Sequence, residues 1–424
     1  MFKCKKVIKN NLILKMLSLC LCLSLCVTSF TGCGITDYFS DVKNKIFGTD
    51  EKKGGSGGAV AKDRYEIPVE DASEKAIKFV ENMTIEQKVG QLFSVNLELL
   101  APSSGDYYEH RRINDEMKES LLKYKVGGVI LFSRNIYRRK QTIKLIKRLQ
   151  NNSEIPMFIM VDEEGGEVQR IGSNPDMKTT SFRTPEEIGE NEDTDYTYEM
   201  GNIIAKDIDD LGFNVNLAPV ADVNTSEFNY EIGSRSFGSD PDKVSEFVVN
   251  FVKGTHDANV CATLKHFPGQ GSSSGDTHVQ SVNIDSDISE LRDNDFKPFI
   301  AGIEELVDFI MISHISVSKV TESKEPASLS ELIMRTILRE ELGYNGIIIT
   351  DAFDMSSITE YYDAGDAAVT SIKNGSDIVL MPENLDEAYN AVLDAVESGK
   401  ITEEELDEKI LRIITTKYKR GIIE

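Results

Sequence analysis

Eight short apolar runs recur along this chain, at residues 91–95, 128–132, 157–161, 213–218, 260–264, 309–313, 346–350 and 378–381. Most are nearly continuous in aliphatic and aromatic residues, without the polar alternation of a strand that has one face in water. Between most of them lie stretches with helical periodicity or helix caps, clearest at 142–149, 197–211, 240–259, 287–306, 328–342 and 366–374. Ahead of the first run, 72–83 reads as a helix, and Thr84-Ile85-Glu86-Gln87 as a capping box that starts another. Ser328-x-x-Glu331 and Thr402-x-x-Glu405 have the same form. Strands alternating with helices imply a parallel sheet. Eight repeats of buried strands point to an α/β fold of the (β/α)8 TIM-type barrel, with an open doubly wound sheet as the alternative. One catalytic barrel domain is expected over residues 71–424, with no second domain after the last helical stretch, 402–418.

The N-terminal segment is of another kind. Lys3, Lys5, Lys6, Lys9 and Lys15 form a basic region, and 16–30 is uncharged and largely apolar. That is the pattern of an export signal, too short for a comfortable membrane-spanning helix. Five of the six cysteines lie within residues 1–33, and Cys261 alone falls in the body of the chain. A disulfide framework or a Cys-rich metal site in the body is thereby excluded. Phe30-Thr31-Gly32-Cys33 resembles a bacterial lipobox. The resemblance implies a lipoprotein signal over residues 1–32, lipidation of Cys33, and a location anchored at the outer face of the cell membrane; secretion with cleavage nearby is the other reading. Residues 33–70, with EKKGGSGGAV at 51–60, read as a flexible tether.

Charge narrows the partners. The formal charge is −24, from 47 Lys and Arg against 71 Asp and Glu, and loss of the five leader lysines makes it −29. Such a surface repels phosphate backbones, so no nucleic-acid partner is expected. Tryptophan is absent, which argues against a long groove that stacks a glycan chain, although Tyr and Phe could substitute.

Barrel chemistry gathers where strands end at their C-terminal side. Asp162 follows the third run, Asp222 lies just past the fourth, Lys265-His266 end the fifth, His314 ends the sixth and Asp351 follows the seventh. Past Lys265-His266 comes a Gly/Ser-rich loop, 269–275, that closes on Asp276-Thr277-His278. In extended chain, residues i and i+2 share a side, so the Asp276 carboxylate can reach the His278 ring and fix its tautomer, as a general acid/base requires. A surface linker with a chance D-x-H is the blander alternative. No H-x-H or H-x-x-x-H spacing occurs, and Lys265 beside His266 opposes a bound cation, so no metal and no cofactor are expected. No G-K-[ST] phosphate loop is present. Asp351 as nucleophile or stabiliser with His278 as acid/base suits glycoside cleavage.

The motifs VDEEGGEVQRI (161–171), NLAPVADV (216–223), IGSRSFGSDP (232–241), KHFPGQGSSSGDTH (265–278), MISH (311–314), GIIITDAFDM (346–355) and GSDIVLMP (375–382) run in order through about residues 74–420. In them the chain resembles glycoside hydrolase family 3, in its bacterial β-N-acetylglucosaminidase branch. The resemblance implies a barrel enzyme that removes terminal N-acetylglucosamine from cell-wall fragments with retention. It makes Asp351 the nucleophile and the Asp276–His278 pair the acid/base dyad. It places Asp162, Arg170, Arg235, Lys265 and His266 on the terminal sugar. Met311 and His314 are expected at the pocket floor, with packing of the strand end as the other role open to them. The branch often has His where Gln270 stands, a change expected to alter loop contacts rather than abolish activity. The β-glucosidase branch takes its acid/base from a second domain. β-Glucosidase, phosphorolysis by the same site, and a lipid-anchored non-catalytic sugar-binding protein remain as alternatives. The expected partner is a small carbohydrate, and the expected state a monomer.

Overall fold

The computed structural model describes residues 69–105, 109–191, 193–273, 277 and 281–424. The expected leader, Cys33, nearly all of the tether, Asp276 and His278 lie outside the described residues. Among the described residues ten strands are formed: β1 Phe93–Val95, β2 Gly128–Ile130, β3 Phe158–Val161, β4 Glu163–Gly165, β5 Val168–Gln169, β6 Val215–Asn216, β7 Cys261–Phe267, β8 Phe309–Ile312, β9 Ile347–Ala352 and β10 Ile378–Leu380. Eight of them close a parallel barrel in the order β1-β10-β9-β8-β7-β6-β3-β2. Each of the eight apolar runs overlaps one barrel strand, because side chains on both faces of these strands are largely buried and most positions are therefore apolar.

β4 and β5 form a separate antiparallel ribbon immediately after β3. The sequence did not foreshadow it: Glu-Glu-Gly is neither apolar nor alternating. The ribbon is made by Glu163, whose carboxylate accepts the backbone N–H groups of Ile171 (2.8 Å) and Gly172 (2.7 Å). That folds the chain back and carries Arg170 to the mouth of the barrel.

The helices run on the outside. Thr84 and Thr402 cap Ile85–Gln91 and Glu403–Lys419 with both bonds of the capping box in place. Ser328 does not cap a helix. It lies in a short turn, Ala327–Leu329, and its hydroxyl meets His314 Nδ1 at 2.8 Å instead. The helix that follows, Leu332–Glu341, is wound with π-type i→i+5 bonds. The expected helix over 287–306 is two, Ile288–Asp293 and Phe296–Glu304, broken at Asn294. Among the described residues no helix is long and apolar enough to cross a membrane.

Charged side chains at the N-terminal ends of the strands are paired in the interior. Asp308, ahead of β8, takes Arg420 at 2.8 Å and His256 at 2.9 Å. Asp377, ahead of β10, takes Arg339 at 2.7 Å and Arg412 at 3.1 Å, and accepts the Ile348 N–H at 2.8 Å.

Candidate active site

β7 ends in a register irregularity. Its ladder to β8 shifts between Leu264 and Phe267, the interval that holds Lys265 and His266. In a regular strand adjacent side chains point to opposite faces, whereas a bulge re-aims them. Here both Lys265 and His266 line one cavity of about 290 Å³ at the C-terminal ends of the strands. Asp162, Arg170, Arg235, Met311 and Asp351 line it too, with Glu164 and Glu231. Every described residue expected to hold the sugar is thus at this cavity, except His314.

His314 is fully buried and is not among the lining residues. Its Nε2 bonds the Ala352 carbonyl at 2.9 Å and its Nδ1 meets Ser328. Of the two roles left open for it, pocket floor or packing of the strand end, its contacts are those of the second, with both ring nitrogens engaged at the end of β9. Asp351, one residue earlier on β9, accepts the Ala352 N–H on Oδ1 at 2.7 Å. Asp351 also lines the cavity.

The cationic side rests on a carboxylate that sequence reasoning passed over. Glu164 accepts Arg235 through two bonds of 2.9 Å and Lys265 Nζ at 2.6 Å. Lys265 Nζ also donates to Asp162 Oδ1 at 2.7 Å. Burial alone would lift the Glu164 pKa, but Arg235 and Lys265 outweigh it and hold the carboxyl well below its usual range. Burial would likewise lower Lys265, and Asp162 and Glu164 reverse that, so it remains a cation. The alternation of Asp162 and Glu164 in DEE was a usable signal for a shared side.

Asp222 acts from behind. Fully buried, it accepts His266 Nδ1 at 2.7 Å, the His266 backbone N–H at 3.1 Å and the Gln270 N–H at 2.6 Å. A carboxylate on Nδ1 fixes the tautomer and leaves Nε2 as the remaining polar atom of the ring. The loop beyond needs its glycines. A Cβ on Gly271 would come within 2.0 Å of the Val223 carbonyl, and Gly269 has φ +120° against Asp295. Asp295 is buried, and burial, with the nearby charge of Asp222, pushes its carboxyl up to about 7. No group of three or more His, Cys, Asp or Glu side chains suited to a metal occurs among the described residues.

The arrangement can hold one polar ring among fixed charges and present a carboxylate to it. Comparison with known proteins agrees with that chemistry. A β-hexosaminidase A from Pseudoalteromonas piscicida is 34% identical over 370 residues, with 80% of this chain and 61% of the relative covered. A β-hexosaminidase from Idiomarina loihiensis is 33% identical over 266 residues, covering 63% of this chain and 79% of the relative. A solved family 3 β-N-acetylglucosaminidase from a Paenibacillus species superimposes with a TM-score of 0.75 at 33% identity, covering 80% of this chain and 63% of that one. The chain thus spans less than two thirds of the Pseudoalteromonas and Paenibacillus proteins. The model of the glycosyl hydrolase family 3 N-terminal domain matches residues 84–416, which hold all eight barrel strands and the cavity they enclose; the chain belongs to glycosyl hydrolase family 3.

Proposed function

We propose that this chain is a retaining exo-β-N-acetylglucosaminidase that releases terminal N-acetylglucosamine from peptidoglycan-derived fragments. The carrying observation is the cavity itself. At about 290 Å³ it lies at the small end of ligand pockets, room for one ring, with Asp351 and the Asp162–Lys265–Glu164–Arg235 chain in its wall. The names of the relatives at about one-third identity support the N-acetylhexosamine specificity.

In this reading Asp162, Lys265, Arg235, Arg170 and His266 hold the hydroxyls of the terminal sugar, so that it is bound in one orientation. Asp351 Oδ2 attacks the anomeric carbon as the bond to the leaving oxygen breaks. His278, oriented by Asp276, gives that oxygen its proton. A glycosyl ester on Asp351 results. Neutral His278 then takes a proton from water, whose oxygen attacks the anomeric carbon and frees Asp351 and the sugar.

The test is hydrolysis of an aryl β-N-acetylglucosaminide by the full chain, with the matching β-glucoside in parallel. Release from the first alone is expected, and Asp351→Ala should abolish it. No release from either substrate, with or without phosphate as acceptor, would sink the proposal, as would full activity of Asp351→Ala.

A further inference from the structure

Thr277 stands between Asp276 and His278 in the sequence and is itself fully buried. Its backbone N–H donates to Glu231 Oε2 at 2.9 Å and its hydroxyl to Glu231 Oε1 at 2.6 Å. One carboxylate thereby holds one residue through two donors, which fixes orientation as well as position. The same hydroxyl lies 3.5 Å from Gln270 Nε2, and Gln270 is held by Asp222 through its own N–H. Glu231 is also tied to the sugar side of the cavity. Its backbone carbonyl accepts Arg235 Nη1 at 3.0 Å, and Arg235 carries the ion pair with Glu164. The segment before it is fastened to the same loop: Asn229 Nδ2 donates to the Gln270 carbonyl at 2.8 Å, and the Thr225 N–H to the Gly271 carbonyl at 3.2 Å.

We infer that Glu231 is a positioning residue for acid/base catalysis, holding Thr277, the residue between Asp276 and His278 in the sequence, through its N–H and hydroxyl and linking it to Arg235 in the cavity wall. The inference rests on the assignment of His278 as the acid/base. Its chemistry is that of a support one step removed. A side chain two or three bonds from an anchored peptide unit is restricted in where its ring can swing. A proton transferred in the transition state demands such restriction, because a small displacement of donor from acceptor costs rate. Glu231 lies 45 or more residues before the dyad, outside any D-x-H motif, so no local pattern marks it.

The test uses two aryl β-N-acetylglucosaminides, a dinitrophenyl leaving group that needs little protonation and a phenyl one that needs much. Thr277→Val keeps the side-chain shape and removes the hydroxyl donor. It should lower kcat on the phenyl substrate by about tenfold or more, a part of the factor that general acid catalysis supplies. On the dinitrophenyl substrate kcat/KM, which reports glycosylation alone, should change less than about twofold. Thr277→Ser should restore the phenyl rate, and Glu231→Gln, with one acceptor oxygen in place of two, should fall between. In a His278→Ala background Thr277→Val should add nothing, because the residue it positions is gone. Equal losses on both leaving groups, or additive losses in the double variant, would overturn the inference. Retained kcat/KM on the dinitrophenyl substrate shows that each variant is folded. If His278→Ala itself showed no leaving-group dependence, the acid/base assignment would fail, and that outcome is distinct from failure of Thr277→Val alone.

Discussion

Asp295 shows how one side chain below the site carries a pH dependence for the whole fold. It precedes the helix Phe296–Glu304 without capping it through its side chain, and lies 5% exposed near the charge of Asp222. Burial raises its folded pKa from 3.8 to about 7. A carboxyl with a raised folded pKa binds its proton more tightly in the native state than in the unfolded chain. Its contribution is therefore fully present below the unfolded value and is lost as pH rises through about 7. The difference in unfolding free energy between the protein and Asp295→Asn should shift by up to about 4 kcal/mol from acid to neutral pH. The variant should be relatively more stable at the higher end. Denaturant titrations of both proteins across that range measure it, and parallel pH profiles would refute it. Residue identity at the site was partly legible for a physical reason. Asp162, Lys265, His266 and Asp351 stand at or directly after their strands, so chain order alone places them at the mouth. Asp222 past the fourth run and Glu164 in DEE were marked locally, but their partners 44 and 71 residues away were not, and Glu231, which acts on Thr277 46 residues away, had no local mark at all.

At the scale of elements, buried parallel strands are the part a sequence writes most openly, since both faces must be apolar. The capping boxes differ in outcome. Thr402 accepts the Glu405 N–H at 3.1 Å while Glu405 returns a bond to the Thr402 N–H at 3.0 Å. Ser328 has the same spacing to Glu331, yet its hydroxyl serves His314, because the end of β8 brings that ring beside it. Tertiary demand overrides a local motif there. Thr402→Ala should cost about 1 kcal/mol, or about 2 °C in Tm for a domain of this size, with turnover unchanged. Calorimetry distinguishes this from no effect. Ser328→Ala, by contrast, removes a bond to the residue that supports the end of β9.

For the whole molecule the barrel divides its charges by face. The end at the C-terminal ends of the strands keeps its charges around a cavity, whereas at the opposite end Asp308 and Asp377 are sealed in by arginines. Replacing Asp377 by Ala would leave Arg339 and Arg412 buried without their carboxylate, a loss of about 3–5 kcal/mol. Tm should fall by several degrees while KM of the folded fraction stays the same; a changed KM would mean the two faces are coupled. Closure of the barrel follows from pairing across most of the chain, Phe93 with Val379 and Ser94 with Leu380. On a ribosome β1 is among the first strands made and β10 the last of the barrel. For roughly tens of seconds of synthesis, at ordinary elongation rates, the nascent sheet has two open borders, β1 on one side and the growing end on the other. Such borders invite pairing with other chains. The join that completes the barrel is thus also the last safeguard against its aggregation, and it forms only once the tenth strand has been made.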